Sequence, residues 1–380
     1  MRAPSIFALS WCLLASACGT APAAPDAATP APDAGVDAAA VPRDAGSDAG
    51  TDAGPPEPGD AARGAALYRT YCTLCHGADG QGYAADDAPA LNSQDLLRIA
   101  SDEFLYANVY DGRPGTPMSA WGDAHGGPFS VASARDVVAF LRSWATEPFE
   151  DVSALAADGD AGRGAPLFAE HCAECHGERG QGVRAPTLDN PVFQRTATDG
   201  FLLRTIERGR RDTPMEGFED RLTSAQIHDV VAFVRTLRRD PMEEWPIEDP
   251  PTLETLVLHP GGEAPTFTLR EGRYVPAAEV AAALAAGRRM VLLDARATSD
   301  WVLGHIPGAA PFPFFSVDEL AGTLPNDGTF IIAYCACPHA ASGRVVDDLR
   351  ARGFASTAIL DEGIVHWREA GYPMARGRLP

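Results

Sequence analysis

Basic charge is what this chain has least of. Across 380 residues, 31 Lys and Arg face 52 Asp and Glu, for a formal net charge of −21. Binding nucleic acid needs a basic patch or stripe to displace the counterions of the phosphates. The one short basic run, Arg208, Arg210 and Arg211, is broken by acids on both sides, so no nucleic acid is expected as a partner. Long apolar runs are also scarce. The stretch from Ile6 to Leu14 is too short and too near the start for a retained membrane span, and no later stretch is apolar enough for one. It follows Met1-Arg2 and runs into Ala15-Ser16-Ala17, the small-residue ending of an export signal, so residues 1–17 are expected to be a signal peptide. Residues 19–57 lack core-forming side chains, being almost entirely Ala, Pro, Asp, Gly and Thr. Such a tract stays extended and unpacked.

What the chain does carry is Cys-x-x-Cys-His, written twice as Cys72-Thr73-Leu74-Cys75-His76 and Cys172-Ala173-Glu174-Cys175-His176. Two thiols about one helical turn apart can each form a thioether to a haem vinyl group, and the next imidazole then ligates the iron. A zinc site needs four saturating ligands, and no second Cys or His pair lies close in either half. Two covalently bound haem c groups are therefore expected on Cys72, Cys75, Cys172 and Cys175, with His76 and His176 as proximal iron ligands. The repeat is longer than the pentapeptide. Gly59-Asp60-Ala61-Ala62-Arg63-Gly64 and Gly159-Asp160-Ala161-Gly162-Arg163-Gly164 precede the two sites in one register, which makes each copy a domain. Val131 to Trp144 and Leu222 to Leu237 space apolar residues at helical period, predicting a helix that closes each pocket. Between attachment site and closing helix, the two copies carry Thr116-Pro117-Met118 and Thr213-Pro214-Met215. A soft sulfur opposite His favours ferrous iron, so Met118 and Met215 are the expected distal ligands, with His125, His171, His228 and Met242 as rivals. Arg208, Arg210 and Arg211 are expected to meet haem propionates or to be solvated charge.

With these motifs in order, residues 58–150 and 151–240 resemble two class I cytochrome c domains in tandem. The resemblance spans the N-terminal helix, attachment site, Met loop and C-terminal helix of each. It implies all-α domains that pass single electrons through an exposed haem edge, between a redox protein donor and a redox protein acceptor. The start of the chain also resembles a bacterial lipoprotein, with Cys18 as the lipidated residue, although Leu14 sits one place early for that motif. Residues 18–57 would then be a tether of roughly 35 Å reach, holding the haem domains by a lipid anchor at the periplasmic side of a membrane.

A Pro- and acid-rich linker, 241–263, leads to a third domain, 264–380. Its pattern predicts a helix at Val275–Ala286, strands at Met290–Asp294, Thr329–Tyr334 and Thr357–Leu360, and a helix at Arg344–Arg352, hence an α/β fold with a central parallel sheet. Asp294-Ala295-Arg296, then Gly304-His305-Ile306-Pro307-Gly308-Ala309, Tyr334-Cys335, Glu362-Gly363, Trp367 and Gly371-Tyr372-Pro373 occur in order. Together they resemble a rhodanese domain, a sulfurtransferase fold. The resemblance implies that Cys335, ending the central strand, is the reactive residue, its thiolate and persulfide stabilised by backbone N–H groups and a helix N-terminus. The alternative is a small buried thiol. Asp294 and Arg296 are expected to form a structural network and His305 to cap a loop. The loop departs from the family: Ala340 stands where Arg is usual, which weakens the case for thiosulfate as donor, and leaves Arg344 to reach back from the helix start. Cys337 adds a second thiol that can resolve a persulfide as a disulfide. His339 either tunes these thiols or faces solvent.

The expected protein is an exported dihaem c-type cytochrome fused to a rhodanese domain, carrying electrons and coupled to sulfur transfer or sulfane-sulfur oxidation at Cys335. The rival reading makes the third domain a non-catalytic docking or redox-sensing module.

Overall fold

The computed structural model describes residues 58–85, 88–240, 244–336 and 339–378, so the expected signal peptide, the tether with Cys18, Met242 and Cys337 lie outside the described residues. Among those residues no helix is long and apolar enough to cross a membrane.

The two Cys-x-x-Cys-His repeats fold alike. The first contains α1 (Ala61–Tyr71), α2 (Thr73–His76), α3 (Gln94–Ile99), α4 (Asp102–Tyr110) and α5 (Val131–Ser143). The second contains α6 (Ala161–His171), α7 (Ala173–His176), α8 (Pro191–Thr196), α9 (Asp199–Arg208) and α10 (Ser224–Val234). An aspartate caps the first helix of each, Asp60 accepting the N–H groups of Ala62 and Arg63, and Asp160 that of Arg163. The last helix of the second repeat starts at Ser224, two residues later than the apolar spacing predicts. Thr223 and Gln226 form a capping box there, while Leu222 packs into the core just outside the helix.

The first and last helices of each repeat cross at a glycine. A Cβ on Gly64 would lie 1.9 Å from the backbone oxygen of Asp136, and one on Gly164 would lie 2.0 Å from that of Asp229. The crossing is clamped by charge. Asp136 accepts the Asp60 N–H at 2.6 Å and the Arg63 Nε–H at 2.8 Å; Asp229 does the same for Asp160 and Arg163 at 2.6 and 2.9 Å. Those two carboxylates are buried on the helix and charge-assisted, so the repeated Gly-Asp-x-x-Arg-Gly is the device that closes each domain.

The third domain is a five-stranded parallel sheet in the order β1-β5-β4-β2-β3, with β1 Tyr274–Val275, β2 Met290–Asp294, β3 Ala310–Pro311, β4 Phe330–Tyr334 and β5 Thr357–Leu360. Two of these, β1 and β3, are two-residue edge strands too short to show a period. Its helices are α11 (Ala277–Ala285), α12 (Thr298–Leu303), α13 (Val317–Leu320), α14 (Ala340–Ala351) and α15 (Gly363–Glu369). The expected Val275–Ala286 helix starts later because Val275 pairs in the sheet and Pro276, lacking an N–H, precedes the first turn. The expected Arg344–Arg352 helix starts earlier, at Ala340, directly after the loop that follows Cys335. β2 is buried at every position, as a sheet covered on both faces requires. Met290, Leu292, Ile332 and Tyr334 face one core, while Val291, Leu293, Ile331 and Ala333 belong to a core that also holds Tyr68, Trp121, Phe129 and Leu141 of the first haem domain.

The basic residues are all arginine, and they join the two haem domains. Glu150 accepts from Arg98 at 2.9 Å, Arg204 at 3.1 Å and Arg208 at 2.6 Å, while Arg211 pairs with Asp95 at 2.9 Å and Glu147 at 2.8 Å. Arg208 and Arg211 are thus paired across the repeats while keeping solvent exposure, Arg211 at 61% of its side chain. The arginines around Glu150, that of Arg208 foremost, hold its carboxyl at about 2, down from 4.5. A carboxylate depressed in the folded state contributes stability above the unfolded value that is lost as pH falls through the folded one. Glu150→Gln is expected to lower stability by about 1–3 kcal/mol at neutral pH and to flatten its pH dependence between 4.5 and about 2. Thermal unfolding of both proteins across that window checks it; parallel curves would show that Glu150 does not supply the effect.

Candidate functional site

Cys72 ends α1 and opens α2, so Cys75 and His76 follow within one turn; Cys172, Cys175 and His176 repeat this on α7. Both imidazoles are oriented by a proline carbonyl. His76 Nδ1 lies 2.9 Å from the Pro89 oxygen and His176 Nδ1 2.9 Å from that of Pro186, which leaves each Nε2 for a metal. Burial lowers the pKa of both rings, holding them in the neutral, ligating form. Burial also pushes Cys72 up to about 12 and Cys172 up to about 11, so neither is a thiolate at neutral pH. Among the described residues no group of three or more His, Cys, Asp and Glu is gathered as a zinc site would need.

The two methionines sit on matched loops. In one, the Arg113 N–H donates to the Met118 oxygen at 2.9 Å, Thr116 Oγ1 donates to the Arg113 oxygen at 2.8 Å, and the Met118 N–H donates to Thr116 Oγ1 at 3.2 Å. In the other, Arg210, Thr213 and Met215 make the same three bonds at 2.7, 2.8 and 3.2 Å. The threonine of Thr-Pro-Met is therefore the loop's internal brace, a role that the bare motif did not reveal. Both methionines pack on the cores of their own domains. The rival histidines have other partners: His125 Nε2 lies 3.0 Å from Asp111, His228 Nδ1 lies 2.7 Å from Asp158, and His171 sits beside Phe218 and Glu170.

A haem fits these residues on a separate observation. Arg113 and Arg210 occupy equivalent places, five residues before each methionine, and burial lowers each to about 10, with Arg113 further lowered by Arg210 and Arg239. Arg210 Nε is buried without a hydrogen-bond partner. Closely set cations with an orphaned donor suit an anionic group such as a haem propionate. Arg113 also reaches into the second domain, donating to the Thr187 oxygen at 2.5 Å and lying 5.0 Å over the Phe193 ring.

In the third domain Cys335 directly follows β4 and is 2% exposed, its Sγ 3.3 Å from the Ser342 hydroxyl on α14. A 12-residue helix starts five residues beyond it, so its N-terminal dipole lies close to that sulfur in sequence. Arg344, expected to reach back to Cys335 from a helix start, is instead the fifth residue of α14, largely exposed and 3.6 Å from Asp348. His339, with a left-handed φ of 92°, is held by Asp361 at 3.0 Å and stacks on Tyr274. Asp294 and Arg296 form the expected network, at 2.9 and 2.5 Å, with Arg296 also on the Gly304 oxygen. His305 is fully buried, its ring stacked 3.9 Å from Trp301 and its Nδ1 on the Trp301 oxygen.

One cleft joins the first attachment turn to the third domain. Leu74, between the two cysteines of the first attachment turn, lines a cleft of about 500 Å³ together with Arg273, Tyr274, His339 and Arg344, so the turn faces the first half of α14.

Comparison with known proteins agrees with this architecture. Residues 59–141 and 159–234 match the family model described as cytochrome C oxidase, cbb3-type, subunit III, and residues 276–370 match the rhodanese-like domain. The chain thus carries cytochrome c domains of the cbb3 subunit III type followed by a rhodanese-like domain. Such cytochrome domains carry covalently attached haem c. Among curated proteins it is 32% identical over 190 residues to the cbb3-type cytochrome c oxidase subunit CcoP of Rhodobacter capsulatus, covering 46% of this chain and 61% of that protein. It is 30% identical over 184 residues to subunit FixP of Bradyrhizobium sp., covering 46% of this chain and 60% of that one. The chain therefore spans about three fifths of the length of these relatives. A rhodanese-related protein from Thermoplasma volcanium matches 28% of this chain and 99% of its own, at 25% identity and a TM-score of 0.25.

If Met118 and Met215 are the distal ligands, changing either to Ala removes the weak charge-transfer band of sulfur-ligated ferric haem at that site and lowers that site's potential. Visible spectra and redox titration of both variants check it. Unchanged spectra in both, with loss on changing His125 or His228, would reassign the ligands.

Proposed function

We propose that this chain is a dihaem electron carrier in which Cys335 of the rhodanese-like domain feeds electrons from sulfane sulfur to the haem on Cys72 and Cys75. The cleft shared by Leu74 and α14 carries the reading, because it brings the first attachment turn against the helix that follows Cys335. A thiolate at Cys335 attacks a persulfide donor, taking its outer sulfur and releasing the donor thiolate, a step with no net electron change. The Cys335 persulfide would then lose an electron pair, its outer sulfur taking an oxygen from water with release of two protons, and the haems held by Cys72, Cys75 and His76 and by Cys172, Cys175 and His176 would supply one-electron acceptors for that pair. Cys337 would discharge unused persulfide, its thiolate attacking the Cys335 sulfur to release hydrosulfide and leave a disulfide, a step that passes no electrons to the haems. Two one-electron acceptors match the two electrons of the sulfur oxidation.

His76 with Met118 and His176 with Met215 are the proposed axial pairs, and Arg113 and Arg210 the proposed propionate partners. The chain is proposed to be exported, lipidated at Cys18 and held at the periplasmic side of a membrane, with redox proteins as donor and acceptor; the oxidase subunits it resembles support that choice of partners. One observation favours a second reading. Cys335 is 2% exposed and Arg344 is occupied by Asp348, as in a module that docks and does not catalyse.

Single turnover separates the two. Oxidised protein mixed with persulfide, thiosulfate or sulfite is expected to show donor-dependent haem reduction with persulfide, lost in Cys335→Ser, which should also carry no added sulfur by mass spectrometry. Cys337→Ser should accumulate the persulfide. Absence of haem reduction and of added sulfur with every donor would leave the docking module. For the anchor, Cys18→Ser is expected to move the protein from the membrane fraction to the soluble or unprocessed one; equal fractionation would mean that Ala15-Ser16-Ala17 is a plain secretory cleavage site.

A further inference from the structure

The segment that follows the first axial methionine is held by the rhodanese-like domain. Ser119 and Ala120 are buried immediately after Met118. Ser119 Oγ donates to Asp300 Oδ2 at 2.5 Å, and Ser299 Oγ donates to the Ala120 oxygen at 2.7 Å. Both partners lie in the first turn of α12, within the third domain. Trp121, next in line, sits 5.9 Å from the Phe315 ring, and Tyr71, the residue before Cys72, sits 4.9 Å from the same ring. The two ends of the first haem site, attachment turn and Met loop, therefore rest on one neighbouring surface.

Among the described residues the second repeat shows no equivalent contact. Glu216 stands in the place of Ser119, and its exposed side chain pairs with Arg221 of its own domain at 2.6 Å. Gly217 stands in the place of Ala120. Near-identical Met loops thus differ in what holds their far ends. Asp300 is fixed in turn. Its backbone oxygen and that of Gly304 lie at 3.5 and 2.6 Å from Arg296 Nη2, and Arg296 is bound by Asp294 at the end of β2. The Met118 loop is pinned through two hydroxyl contacts to α12, the helix that follows β2 of the rhodanese-like domain.

We infer that Ser299 and Asp300 are positioning residues for the first haem, holding Ser119 and Ala120 so that Met118 is kept on the iron of that haem and leaving the second haem outside the rhodanese domain's influence. The inference rests on the reading of Met118 and Met215 as axial ligands. Each hydroxyl contact is a neutral or charge-assisted hydrogen bond inside a closed interface, where its loss lets the loop choose between ligated and detached forms.

The test uses the full-length, haem-loaded protein in a Met215→Ala background, so that the first haem alone carries the sulfur–iron band. Ser119→Ala, Ser299→Ala and Asp300→Ala should each lower the ratio of ligated to detached Met118 in the ferric protein about threefold to tenfold, the range of one lost hydrogen bond. The first haem's potential should fall with it. Asp300→Asn keeps an acceptor for Ser119 and should restore the band. In a Met118→Ala background the same substitutions should leave the second haem's band and potential where they were. Ser299→Ala removes one hydroxyl and no charge, so it reports even if Asp300→Ala does not fold. An unchanged band and potential in Ser119→Ala and Ser299→Ala would overturn the inference, as would equal shifts at both haems. If Met118→Ala itself leaves the band of the first haem intact, the ligand assignment fails first, and the two failures are told apart.

Discussion

Each haem domain depends on two helix backbones approaching more closely than a side chain permits. Gly64 against Asp136, and Gly164 against Asp229, bring the first and last helices together with no room for a Cβ. The buried aspartate at each crossing needs its charge matched, and the arginine three residues after the capping aspartate supplies the match. Glycine gives proximity and the Arg–Asp pair gives register. With the crossing fixed, Cys72 of the attachment turn and Met118 of the Met loop pack on one core, and Cys172 and Met215 on another. Without it the cysteines, histidine and methionine of each repeat would belong to unconnected segments.

On top of this shared plan the two domains are placed differently. The second is joined to the first by arginines gathered on Glu150, Glu147 and Asp95, and its Met loop is supported locally. The first has a second neighbour. One face of the rhodanese sheet and the aromatic side chains of the first haem domain share a core, and hydroxyl groups cross that boundary beside Met118. Burial pushes the Asp300 carboxyl up to about 6, against the pull of Arg296 and Ser119, so its partner hydroxyl meets a group that is ionised only in part at neutral pH or below. A parallel sheet must be covered on both faces, and here a cytochrome domain adds to the helices that cover one of them.

The Cys335 thiol is more enclosed than its place after a strand alone implies. The thiol lies between its own strand and Ser342, and its carbonyl accepts the Ile364 N–H from the segment after β5. The polar groups nearest the cleft are paired with one another, Arg273 with Asp347, Arg344 with Asp348 and His339 with Asp361. Any group entering the cleft meets charges that are already paired.

Much of this was legible in the residues. Cys72, Cys75, His76 and their second copies stood out because the thioether attachment and axial ligation proposed for them need fixed spacing along one turn. The strands Met290–Asp294 and Thr357–Leu360 were legible because buried parallel strands read as unbroken apolar runs. The edge strands Tyr274–Val275 and Ala310–Pro311 were not, since two residues carry no period, and the start of α14 at Ala340 was hidden behind a loop with Pro and His. What tertiary structure alone decided is who touches whom over long separations. Ser119 meets Asp300, Arg113 meets Thr187, and Leu74 faces Arg344, pairs that no local pattern encodes. Local spacing determines which residues of each repeat are candidates for attachment and ligation, because such bonds form within a turn or a loop. The difference in what holds the two Met loops comes from packing against a third domain, because a buried hydroxyl or carboxylate has no defined partner until the fold delivers one.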